Sequence, residues 1–158
     1  MKINNKTDFK KAEQFLIYKS SNHDTSRLVV TMSTACKGER YRGYCAYPTK
    51  PGKSAKGWRF DLAKGIFRIT SNVNLRSHYP YTEEVSIGTK SINERMFEWI
   101  TKEVLFNNKE EMLVFVLGHE VHHFLCKTKQ LKGTGQRNTQ CQANKRGIEW
   151  WKEFIQRD

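Results

Sequence analysis

The sequence predicts a single α+β domain, a small antiparallel sheet followed by three helices. Short β-branched or alternating segments cluster between residues 27 and 89, and longer apolar runs at helical spacing follow from residue 91 onward. No internal repeat relates the two halves. At 158 residues the chain is long enough to bury one sizeable core.

Thr7 or Asp8 is placed to cap a first helix, with Phe9, Ala12, Phe15, Leu16 and Lys19 at helical spacing. Ser20 to Ser26 reads as a loop. Arg27 to Ser33 carries LVVTM at its centre and reads as a strand, because β-branched side chains suit a pleated surface. Arg40 to Tyr47 alternates, with Tyr41, Gly43, Cys45 and Tyr47 set against Arg42, Tyr44 and Ala46, and makes a second. Pro48 to Gly57 is rich in Pro, Gly, Lys and Ser and reads as a loop. It holds Gly52-Lys53-Ser54, but Tyr47 stands where a phosphate-binding loop needs its first glycine, so nucleotide binding is not expected.

Trp58 to Leu62 and Ile66 to Ser71 read as a hairpin around Ala63-Lys64-Gly65, with Gly65 free to turn left-handed. Asn72 to Tyr81 reads as irregular, and Val85 to Thr89 as a last short strand. Ser91-x-x-Glu94 has the form of a capping box, opening a helix with Ile92, Met96, Trp99, Ile100 and Val104 on one face. Asn107-Asn108 would end that helix, and Asn108 can cap the next, Glu110 to Cys126. Beyond the polar stretch Lys127 to Asn138, Thr139 caps a final amphipathic helix through Ile148, Trp151, Phe154 and Ile155.

Twenty-eight Lys and Arg against sixteen Asp and Glu leave a net charge of +12. That excess favours polyanionic partners, nucleic acid ahead of a membrane surface, although no arginine-rich tail or nucleic-acid motif concentrates it. No apolar run approaches the ~18 residues of a membrane span. Met1 to Lys11 is polar without a signal-peptide core, which points to a cytoplasmic protein. Cys36, Cys45, Cys126 and Cys141 form no C-x-x-C pair and are expected to be reduced thiols rather than a zinc knuckle.

The chemistry concentrates in His119-Glu120-Val121-His122-His123. At roughly 100° per residue, His119, Glu120 and His123 share one face of the helix, whereas His122 falls beside it as a neighbour. Met112 to Gly118 is free of charge and the helix is apolar nearly all round, so these groups are expected to be buried. Buried imidazoles and a carboxylate need a partner to offset desolvation. Zn²⁺ is the simplest one: imidazoles at i and i+4 can grip it, and the intervening Glu can act on a bound water.

His119-Glu120-x-x-His123 on a helix, preceded by a small sheet, resembles the zincin metallopeptidases. In the gluzincin branch a Glu on a later helix is the third ligand, often within a Glu-x-x-Ala-Asp/Asn pattern. The matching stretch here is Gln140-Cys141-Gln142-Ala143-Asn144, where Ala and Asn agree and Gln140 replaces the Glu. The resemblance covers Glu110 to Ile155. It implies a zinc-dependent peptidase with His119 and His123 as metal ligands, Glu120 as general base, and a protein or peptide substrate. Gln140 is the first candidate for the third ligand, followed by Cys141, Glu149 and Cys45; the remaining alternative is two protein ligands alone. Peptide deformylases also combine an upstream Cys with H-E-x-x-H, but their Gly-x-Gly-x-Ala segment is absent. The rival expectation is a non-catalytic, basic nucleic-acid-binding module on a zincin scaffold that has lost its third ligand.

Overall fold

A computed structural model describes residues 1–48, 64–133 and 139–157. The chain order is β1 (Lys2–Asn5), α1 (Lys10–Ser20), β2 (Leu28–Ser33), β3 (Tyr41–Ala46), β4 (Phe67–Val73), β5 (Tyr81–Ser91), β6 (Phe97–Phe106), α2 (Lys109–Lys127) and α3 (Thr139–Ile155). Gly52-Lys53-Ser54, the expected strand Trp58 to Leu62 and Ala63 of the expected turn lie outside the described residues. Gly65 does turn left-handed, with φ +80°.

Among the described residues the four-stranded sheet runs β1-β2-β4-β3, and β5 and β6 pair separately as a ribbon. β1, β2 and β4 are parallel, with β3 antiparallel along the edge. The expected wholly antiparallel sheet is therefore corrected to a mixed one. Parallel pairing follows from β1, a polar KINN segment without alternation, which returns through α1 to pair with β2. A period-two pattern cannot reveal such a strand.

The helix expected from Ser91 onward is also corrected: Phe97–Phe106 is a strand, and among the described residues two helices follow it. Ser91 pairs with Phe97, and the intervening turn is organised by Asn93, whose Oδ1 accepts from the amides of Arg95 and Met96, each at 2.9 Å. Val104 and Phe106 face the core while Trp99, Thr101, Glu103 and Leu105 face outward. β5 is correspondingly longer than expected, taking in Tyr81 to Ser91 with an irregularity between Ser86 and Gly88.

Leu28, Val30 and Met32 of β2 and Phe67, Ile69 and Val73 of β4 put one sheet face into the core beneath α2. Neither Thr7 nor Asp8 caps α1. Glu110 of α2 accepts instead from the amides of Lys11 and Ala12, at 2.6 and 3.3 Å, so a carboxylate distant in sequence meets the orphan donors of α1. Asn108 caps α2 as expected, accepting from the Glu111 amide at 2.9 Å. α3 lies against α2 at a glycine crossing: a Cβ on Gly147 would come within 3.0 Å of the Phe115 carbonyl oxygen, and one on Gly118 within 3.1 Å of Gly147 Cα. Among the described residues no helix is long and apolar enough to cross a membrane.

Candidate metal centre

The close crossing of α2 and α3 builds the site. Both helices carry polar groups four residues apart, and they meet in antiparallel order, His119 against Asn144 and His123 against Gln140. His123 Nε2 stands 3.0 Å from His119 Nε2 and 3.3 Å from Gln140 Oε1. Asn144 Nδ2 donates to the Ser86 carbonyl of β5 at 2.9 Å, which aims its Oδ1 at His119 Nδ1, 2.7 Å away. A carbonyl oxygen only accepts, so His119 carries its proton on Nδ1 and presents the Nε2 lone pair to the interior.

Burial depresses both imidazoles, His119 to about 4 with a further push from His123, so they are neutral at pH 7. His119 Nε2, His123 Nε2 and Gln140 Oε1 thus converge in a largely dry setting. One proton satisfies that arrangement only in part; a divalent cation can satisfy it wholly. Around tetrahedral zinc, nitrogen and oxygen ligands lie about 3.3 Å apart, close to the observed separations. The residues present fit the ion. Among the described residues no group of three or more His, Cys, Asp or Glu converges, and the oxygen nearest the two imidazoles is the neutral amide of Gln140.

The other candidates are placed elsewhere. Glu149 is exposed and bound to Arg146 at 2.9 Å. Cys141 is buried in α3, and Cys45 lies on the inward side of β3 with its thiol pushed up first by burial and then by Glu120. His122 turns to Cys126, 3.4 Å away, and its Nδ1 has no partner among the described residues. Tyr79 and Tyr81 gather around Arg40, whose guanidinium lies 3.6 Å from the Tyr81 ring centre.

Glu120 sits on the α2 surface turned to the sheet and is only 5% exposed. Desolvation pushes its carboxyl up to about 7. It has room because β3 carries Gly43 there. A Cβ at Gly43 would collide with Glu120 Oε1 and approach Val116 Cγ1 within 2.8 Å. Sequence reasoning missed Gly43 as a site residue. It also missed the role of Asn144, although the four-residue spacing of Gln140 and Asn144 repeats that of the two histidines. Comparison with protein-family models, with curated proteins and with solved structures gives no match.

Proposed function

We propose that the chain is a zinc-dependent peptidase with a zincin-like site made by His119, Glu120, His123 and Gln140. The observation that carries this reading is the convergence of two neutral imidazole nitrogens and an amide oxygen, 3.0 and 3.3 Å apart, on a helix that also buries the carboxylate next in sequence to His119. Zinc held by His119, His123 and Gln140 would supply a Lewis acid that acidifies water and polarises a carbonyl.

The chain's own residues account for proton movement and orientation. Glu120, with its carboxyl near neutrality, accepts the proton of the attacking water and returns it to the leaving amine nitrogen. Asn144 locks His119 in one tautomer and one ring orientation, as partners of metal-binding imidazoles do. An extended substrate can add to β3, which among the described residues pairs only with β4 and passes Gly43 directly against Glu120. Val85 to Thr89 is less suited to that role, since the Ser86 carbonyl is taken by Asn144.

The test is Glu120→Gln. Protein carrying one zinc per chain should cleave a casein-like substrate, and the substitution should retain the zinc while abolishing cleavage. Cleavage at the original rate would refute the mechanism, and absence of bound zinc in untreated protein would refute the metal site.

A further inference from the structure

The second face of the sheet, turned away from α2, is built differently from the first. Strand register sets its outward positions: Lys2 and Asn4 on β1 lie beside Val29 and Thr31 on β2. Thr31 lies beside Thr70 on β4, and Thr70 beside Tyr44 on β3, so one row crosses all four strands. The next row runs from Ser33 through Asn72 to Arg42. No Asp or Glu occupies an outward position on these strands, while Lys2, Arg42 and Arg68 do. A cavity of about 610 Å³ opens on this face, lined among others by Arg42, Arg68, Tyr44, Thr31 and Thr70. Tyr44 is 55% exposed there.

We propose that this face binds a single-stranded nucleic acid. Charge complementarity argues for a polyanion: the outward positions are basic, and the whole chain carries +12. Single-strand binding combines cations that follow the phosphates with an aromatic side chain on which a base stacks. Arg42 and Lys2 supply the first, and Tyr44 the second. Arg42 bonds Glu39 at 2.8 Å, but this is an exposed pair three residues apart, and its guanidinium has further donors. The cavity has the size of a small-ligand pocket, about 300–1,000 Å³, which admits unstacked bases and is too small for the body of a duplex. The surface lies across the sheet from His119 and Glu120, so the proposal is independent of metal and of peptidase activity.

The experiment uses metal-stripped full-length protein and a fluorescein-labelled oligothymidylate of about 12 nucleotides, followed by anisotropy over a range of salt. Two phosphate contacts from Lys2 and Arg42 give a log–log salt dependence of at least about −1.4. Lys2→Ser with Arg42→Ser should flatten that dependence and weaken binding roughly tenfold. Tyr44→Ala should weaken it roughly tenfold with the salt dependence unchanged, because stacking releases no counterions. Lys145→Ser with Lys152→Ser removes the same charge from the exposed side of α3 and should leave binding near wild type. Equal weakening by this control pair, no effect of Tyr44→Ala, or tighter binding of a DNA duplex of the same length would each overturn the proposal.

Discussion

Replacing Glu120 by Gln should stabilise the metal-free protein above neutral pH. An exposed Glu in the unfolded chain titrates near 4.5, whereas burial raises the folded carboxyl to about 7. At about 1.4 kcal/mol per pKa unit, ionising Glu120 in place costs about 3 kcal/mol that ionising it in the unfolded chain does not. The folded state holds the extra proton, so this contribution to stability is full below about pH 4.5, is lost as pH rises to about 7, and is flat beyond. Depressed His119, His122 and His123 act in the opposite sense, since the unfolded chain takes up their protons first and stability falls as pH drops below about 6.5. Subtracting the wild-type profile from that of the variant removes the histidine contribution and isolates Glu120. The assay is urea unfolding in chelator near pH 5 and near pH 8, with the Gln variant gaining roughly 2–3 kcal/mol on wild type between the two. A difference between the proteins that does not change with pH would show that Glu120 is not desolvated as described.

Three further outcomes follow from the same geometry. Gly43→Ala forces a Cβ onto Glu120 and Val116 and should destabilise the protein by about 1–3 kcal/mol, measured by urea unfolding, with cleavage falling more than the folded fraction does. Asn144→Ala removes the contacts at 2.7 and 2.9 Å and should weaken zinc binding roughly 10–100-fold in competition with a chromophoric chelator. Gln140→Glu replaces a neutral amide oxygen by a carboxylate and should tighten zinc roughly tenfold or more in the same titration. Affinity unchanged by that substitution would remove Gln140 from the coordination set.

Where side-chain pattern alone decides an element, the sequence could be read. α2 is apolar all round and is buried all round; Asn108 caps it; β2, β3 and β4 fall where alternation and β-branching put them. The failures have physical causes. Ile92, Met96, Trp99, Ile100 and Val104 do lie at helical spacing, and Ser91 and Glu94 at capping-box spacing. Yet Phe97 to Phe106 is also dense in aromatic and β-branched residues, and the Asn93 turn returns the chain onto β5 before a helix can start. A short apolar segment carries both periods, and here the partner strand decides. The parallel order of β1, β2 and β4 and the Glu110 cap on α1 depend on contacts far apart in sequence, which no local window contains.

The site was legible as chemistry but not as assembly. Spacing puts His119, Glu120 and His123 on one face; it does not say that Gly118 and Gly147 let two helices approach closely enough for Gln140 to reach His123. Nor does it say that β3 must lack a side chain at residue 43. Those two close approaches bear on the choice between a peptidase and a binding module that has lost its metal. A scaffold that only binds through its far sheet face gains nothing from a buried carboxylate costing about 3 kcal/mol at neutral pH. It gains nothing either from two desolvated imidazoles that share one proton across 3.0 Å. A Gln at 120 and a Leu at either histidine would relieve both without disturbing the sheet surface. Gly43 giving the carboxylate room and Asn144 fixing the tautomer are what the proposed site, which would hold an ion and move a proton, requires. In the proposed coordination a Gln140 amide would leave the site the full charge of the cation, where a third-ligand carboxylate would offset part of it. The expected consequence is weaker metal retention together with a more acidic water, and the Gln140→Glu titration separates this from a site that holds no metal at all.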